Sequence, residues 1–160
     1  MFLKEIVLIN PKPNIRFNDY INYIDTSAVN DGALVEVDYL DNKFPSRAQR
    51  QLQNGDILIS SVRPRLKHNY FVDCNKPHLI GSTGFIQVRN NSNKYNSKYL
   101  YYFLTSQPRV DLYASIANFS QTIFPSFNKD VLENLYIPEI TLSEQNHIVN
   151  TISFLLLKSL

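Results

Sequence analysis

The sequence predicts an α+β domain, and three observations carry that prediction. Short β-branched and aromatic runs alternate with turn residues through the first ninety positions. Apolar residues recur at helical spacing near residues 98–106 and again from 141 to the end. The 160 residues are 44% hydrophobic and 19% charged, which supports one ordinary core and excludes a disordered, collagen-like or wholly coiled-coil chain.

In chain order, Pro11-Lys12-Pro13-Asn14 is a stiff extended entry, because each proline pushes its predecessor out of helical geometry. Residues 20–25 alternate and read as a strand, Asn30-Asp31-Gly32 as a turn, and Leu34-Val35-Glu36-Val37-Asp38 as a second strand. Residues 44–53 fit either a loop or a helical turn. Asn54-Gly55-Asp56 is a turn before a buried strand at Ile57–Val62, and residues 69–73 and 84–89 are further strands. In the last of these, Ile86 and Val88 point one way, Gln87 and Arg89 the other. Asn96 or Ser97 caps a helix over 98–106 whose extension Pro108 limits. Asn128 opens a short capped turn and residues 135–137 form a final strand. Thr141-Leu142-Ser143-Glu144 fits a capping box for a C-terminal helix.

Much chemistry has no sequence signature here. A single cysteine, Cys74, supports neither a disulfide framework nor a cysteine zinc site. Four glycines supply no phosphate-cradling loop, and no nucleophile elbow is present. His68, His78 and His147 lack a short metal-ligand spacing, although His68 and His78 fall in the basic segment and could touch phosphate. No apolar run reaches the ~18 residues of a membrane span and the N-terminus shows no signal-peptide pattern, so a soluble cytoplasmic protein is expected.

The net charge of +2 conceals an uneven distribution. Residues 1–42 carry −4, residues 43–98 carry +8, and residues 99–160 carry −2. Clustered Lys and Arg displace counterions condensed on phosphates, so the central segment points to a polyanion. Its most informative run is Ile57-Leu58-Ile59-Ser60-Ser61-Val62-Arg63-Pro64-Arg65-Leu66-Lys67-His68-Asn69. A buried strand delivers Arg63, Arg65 and Lys67 to an exposed loop, and an extended chain would place all three on one side. Arginine pairs bidentately with guanine, and Asn or Gln with adenine.

Several stretches, in order, resemble a target-recognition domain of the specificity subunit of type I restriction-modification enzymes. These are Tyr23-Ile24-Asp25-Thr26-Ser27, Gly55-Asp56-Ile57-Leu58 with Val62-Arg63-Pro64, and Ser82-Thr83-Gly84-Phe85 with Val88-Arg89. Tyr99–Leu104 follows, and then Leu132–Pro138 with Leu142-Ser143-Glu144-Gln145 and His147-Ile148-Val149. The resemblance spans about residues 20–150.

It implies a mixed, curved β-sheet domain of the DNA methylase specificity type. Residues 1–140 would be the target-recognition domain and residues 141–160 the start of a helical coiled-coil spacer. It implies sequence-specific binding of one half of a bipartite double-stranded DNA site, without catalysis. Methyltransferase and restriction subunits would be partners and would carry S-adenosylmethionine and ATP chemistry; this chain would hold no cofactor and no metal. A half-subunit, a truncated reading frame and an excised piece all fit that coverage. Candidates for base edges are Arg63, Arg65, Lys67, Asn69, Gln87 and Arg89, with Ser120 and Gln121 as a further group. Lys43, Arg47, Arg50, Lys94 and Lys98 would hold the DNA backbone. Leu142, Ile148, Ile152, Leu155 and Leu156 would face a partner helix, from a second recognition domain or another copy.

Three rival readings remain open from the residues alone. One is a general RNA- or single-strand-binding domain that stacks bases on Tyr70, Tyr95 and Tyr99. Another is an enzyme with no local motif, and the third an assembly scaffold whose basic charge is incidental.

Overall fold

A computed structural model describes residues 1–14, 19–120 and 122–160. In chain order its strands are β1 (Val7–Ile9), β2 (Ile21–Ile24), β3 (Val29–Asn30), β4 (Ala33–Leu34) and β5 (Asp38–Leu40), followed by β6 (Ala48–Gln51), β7 (Ile57–Ser60), β8 (Asn69–Phe71), β9 (Leu79–Ser82) and β10 (Phe85–Asn90). The helices are α1 (Ser97–Thr105), α2 (Gln107–Asn118), α3 (Lys129–Glu133) and α4 (Leu142–Lys158). The α+β class therefore holds, but the strands divide between two four-stranded sheets and a small ribbon instead of forming one sheet. The first sheet runs β1-β10-β7-β8 and is antiparallel throughout. The second runs β5-β2-β9-β6, with β2 and β9 parallel.

The alternation within β7 and β10 explains the layering. Ile57, Ile59, Ile86 and Val88 enter a core shared with Leu100, Leu104, Tyr113 and Leu132 of the helices. Leu58 and Phe85, on the opposite face, pack with Ile24, Leu52 and Leu79 of the second sheet and its flank. The first sheet is thus covered on both faces. Burial pushes the Tyr70, Tyr101 and Tyr113 phenols up, Tyr101 to about 12.

This layering overturns a simple reading of β10. Its polar positions face the second sheet, not water. Gln87 is fully buried, and its Nε2 donates to the Gln51 carbonyl of β6 at 2.8 Å and to Asp56 Oδ2 at 2.8 Å. Arg89 grips Asp56 with Nε at 2.8 Å and Nη2 at 2.9 Å and also reaches the Gln51 carbonyl. Gly55, at φ 90°, makes the turn that aims Asp56 inward, and the carboxylate also accepts the Gln53 amide at 3.0 Å.

Other local expectations change for physical reasons. Residues 44–53 contain β6, an irregular strand set by pairing with β9, which itself carries no clear alternation. The strand expected at 34–38 shortens to Leu34 in the ribbon, and a separate strand begins at Asp38. The strand expected at 135–137 reduces to one bridge, Phe2 with Tyr136. Helix α1 ends at Thr105 as expected, but Pro108 then sits in the first turn of α2, where its missing N–H costs nothing.

Asp56→Ala would leave the Arg89 guanidinium and Gln87 without their shared acceptor. Urea denaturation should show a loss of about 3 kcal/mol. Alkaline behaviour supplies a second expectation. The neutral Tyr101 phenol is favoured in the folded state, so its contribution is complete below pH 10 and fades as pH rises toward about 12. Tyr101→Phe should lose stability less steeply above pH 10 in denaturation midpoints measured across that window.

Candidate nucleic-acid interface

The basic loop after β7 is a tight turn. Pro64–Leu66 form one turn of 3-10 helix, closed by Leu66 N–H to the Arg63 carbonyl at 3.0 Å and Lys67 N–H to the Pro64 carbonyl at 3.0 Å. Pro64 disfavours right-handed helical geometry at Arg63, and the residue sits in the left-handed region at φ 48°, with its N–H on the Pro125 carbonyl. Lys67 is also left-handed, at φ 53°. Arg63, Arg65 and Lys67 therefore do not share one side of an extended chain. Arg65 turns toward α2 and pairs with Asp111 at 3.1 Å, an exposed and weakly stabilising contact. Lys67 is half-buried, and its carbonyl accepts the Asp31 and Asn69 amides.

Arg63 points into a cleft of about 380 Å³ where the ends of both sheets meet. Thr26 follows β2, Arg47 precedes β6, Ser60 ends β7, and His68 precedes β8; Arg63 and Phe124 complete the wall. The Arg63 guanidinium lies 5.2 Å over the Phe124 ring. Arg47 is exposed and occupies the space beside Gly84, where any Cβ would collide with its guanidinium and with Thr26. The His68 Nδ1–H donates to the Val29 carbonyl at 2.6 Å, which leaves Nε2 of the neutral ring as an acceptor. The cleft thus combines two guanidinium donors, hydroxyls, one imidazole acceptor and an aromatic face. That set can hold an anionic backbone and discriminate hydrogen-bonding edges.

Not every basic or amide candidate reaches this cleft. Gln87 is buried between the sheets with both Nε2 donations used, and Arg89 is 21% exposed, held by Asp56 through Nε and Nη2, and does not line this cleft. Asn69 is buried at the start of β8, opposite Ile59. Arg50 is half-buried with Nε on the Phe85 carbonyl at 3.3 Å, and its burial lowers the guanidinium pKa. Lys94 is exposed but lies past the far end of β10, and Arg89 alone is about 14 Å along that strand from Phe85. Lys98 is enclosed by Phe71, Tyr101 and Tyr102. The Ser120 hydroxyl donates to the Ala117 carbonyl at 2.7 Å and so braces its own loop; Gln121 lies outside the described residues. The proposed stacking tyrosines, Tyr70, Tyr95 and Tyr99, are all buried. Among the described residues no cluster of His, Cys, Asp or Glu could hold a metal ion, and no helix is long and apolar enough to cross a membrane.

Comparison with known proteins bears on this geometry. Residues 1–157 match the family model described as the type I restriction modification DNA specificity domain. The chain belongs to that family. The specificity subunit of the type I restriction enzyme HindI from Haemophilus influenzae is 28% identical over 130 residues, covering 74% of this chain and 27% of that protein. The crystal structure of an HsdS subunit from Thermoanaerobacter tengcongensis superposes with a TM-score of 0.84 at 26% identity, over 99% of this chain and 42% of that one. A second structure, from work on assembly and conformational transition of the type I R-M system, gives a TM-score of 0.82 at 26% identity over the same shares. The chain thus spans less than half the length of these relatives.

In this specificity domain the C-terminal helix has a defined exit. Thr141 Oγ1 accepts the Glu144 amide and Glu144 accepts the Thr141 amide, which completes the expected capping box. Gln145, which carries the resemblance but had no structural role assigned from sequence, is fully buried. Its Nε2 donates to the Lys94 and Ile140 carbonyls and its Oε1 accepts the Asn96 amide. Asn96 in turn caps α1, so one side chain locks α4 to the body. The apolar stripe divides accordingly: Ile148 packs on the core, Ile152 and Leu156 line a cleft against Tyr101 and Tyr102, and Leu142 and Leu155 are exposed.

Thr26 and Gly84, which carry the resemblance but gained no site role from the sequence, and Phe124, which it did not single out, also belong to the cleft or its edge. Only spatial neighbours give them meaning. Arg63→Gly removes the guanidinium and the left-handed strain together, whereas Arg63→Ala keeps the strain. The glycine variant should unfold at higher urea than the alanine variant by about 1 kcal/mol.

Proposed function

We propose that this chain reads one half of a bipartite double-stranded DNA site as the non-catalytic specificity component of a type I restriction-modification complex. One observation carries the reading: Arg47 and Arg63 converge, with His68 and Ser60, on an open cleft where two rigid sheets end. Rigid strands hold the donors in place, and the charge of the central segment supplies general attraction to phosphate. Arg65, with only an exposed partner, extends the surface beside the cleft. Residues 1–140 serve as the recognition domain and residues 141–160 begin the spacer. The exposed Leu155, Leu157 and Phe154 on α4 take a second helix, from another recognition domain or a second copy, and the assembly binds methyltransferase and restriction subunits. S-adenosylmethionine and ATP act in those subunits. The burial of Tyr70, Tyr95 and Tyr99 favours duplex over single-strand binding.

The test is co-expression with the neighbouring methyltransferase subunit and sequencing of the modified adenines. A single bipartite motif should emerge. Arg47→Ala or Arg63→Ala should relax one base position or cost about 1–3 kcal/mol on the cognate duplex. Methylation without sequence preference, or binding that is insensitive to salt, would defeat the proposal.

A further inference from the structure

The small ribbon of β3 and β4 belongs to neither large sheet, yet it holds the chain that closes one side of the arginine cleft. Asp31 N–H donates to the Lys67 carbonyl at 2.8 Å and Gly32 N–H to the Asn69 carbonyl at 2.9 Å, so the ribbon's turn grips the residues on both sides of His68. Between them the His68 Nδ1–H donates to the carbonyl of the fully buried Val29 at 2.6 Å. The His68 carbonyl accepts the Ser60 amide at 3.2 Å, which ties the same residue to the end of β7. Backbone and ring are thus held from two directions. A carbonyl only accepts, so the bond to Val29 fixes the tautomer: Nδ1 carries the proton, and Nε2 of the neutral ring presents a lone pair. Nε2 has no partner and is not enclosed, since among the described residues the one buried side-chain polar atom without a partner is Gln87 Oε1.

We propose that His68 is a specificity-determining residue whose Nε2 accepts a hydrogen bond from the exocyclic amine of adenine or cytosine in the major groove. This rests on the reading of the cleft as a DNA-binding surface. The side chains that line the cleft divide by role. Arg47 and Arg63 only donate, so they suit phosphate oxygens and the acceptors of guanine. The Ser60 and Thr26 hydroxyls rotate between donor and acceptor and discriminate weakly. His68 alone among them is held as an acceptor. In the major groove only adenine N6 and cytosine N4 donate. Guanine and thymine would meet the lone pair with acceptors of their own, so the ring rejects as well as selects. Guanine N2 donates in the minor groove, which is about 6 Å wide. Stacked sheets sit about 10 Å apart, so their joined ends are too broad to enter it.

The test uses the assembled complex and the duplex defined by its methylation motif. Each adenine of the half-site is replaced in turn by purine, which lacks the N6 amine, and each cytosine by 2-pyrimidinone, which lacks the N4 amine. One replacement should weaken wild-type binding about tenfold. His68→Asn separates bracing from reading, because its amide can still donate to the Val29 carbonyl but stops short of the Nε2 position. Its thermal melt should match wild type, and it should bind the natural duplex about tenfold more weakly. It should lose nothing further when that one amine is removed, the mark of a direct contact. The slope of log affinity against log salt should stay unchanged, since a neutral ring displaces no counterion. If no amine of the half-site matters to the wild-type complex, or if the two losses multiply at every position, His68 only braces its loop; the proposal then falls while sequence-specific binding stands. A loss spread evenly over all duplexes, with a salt slope lower by about one, makes the ring a phosphate contact and also overturns it. A loss traced to guanine N2 by inosine replacement overturns the major-groove assignment. A wild-type complex that binds no duplex overturns both readings.

Discussion

The contact between the two sheets depends on a buried ion pair. Asp56 has no exposed side-chain surface and accepts from Arg89, Gln87 and the Gln53 amide. A carboxylate taken from water is costly unless its oxygens are satisfied, and here four donations supply that compensation. Gln87 and Arg89 both reach the Gln51 carbonyl, so the pair also fixes β6 against β10. Apolar packing of Leu58, Phe85 and Leu79 supplies the adhesion around it, while the polar cluster sets which residues face one another.

That registration determines where the sheets end. Phe85 stands opposite Ser60 in the first sheet, and Ala48 opposite Ser82 in the second. The short Gly84 turn between β9 and β10 therefore brings Arg47 over the end of the first sheet, next to Arg63. The cleft is a consequence of sheet-on-sheet docking. Its strained element, Arg63 in a left-handed conformation, is held by Pro64 on one side and the Pro125 carbonyl on the other. A guanidinium fixed in that way loses little conformational freedom when it meets a ligand.

The opposite requirement applies at the joint with α4. There Gln145 satisfies three backbone groups at once, so the helix leaves at one angle. The domain thus combines a strained loop at the sheet ends with a fixed exit of α4 from the body.

The local rules of the chain determined much of this. Turn chemistry placed Gly55 and Asp56, the capping box placed the start of α4, a continuous apolar run placed β7, and hydrophobic alternation placed β10. Charge counting marked the central segment as basic. Tertiary structure decided which of its cations are available. Alternation shows that Gln87 and Arg89 oppose Ile86 and Val88, but it cannot show that a second sheet covers the polar side. Helical spacing likewise groups Ile148 with Leu155, yet packing on the body partly covers only the middle of the stripe and leaves Leu142 and Leu155 exposed. The physical reason is the same in both cases. Backbone periodicity is a property of neighbours along the chain, whereas exposure depends on elements that arrive from sequence-distant positions.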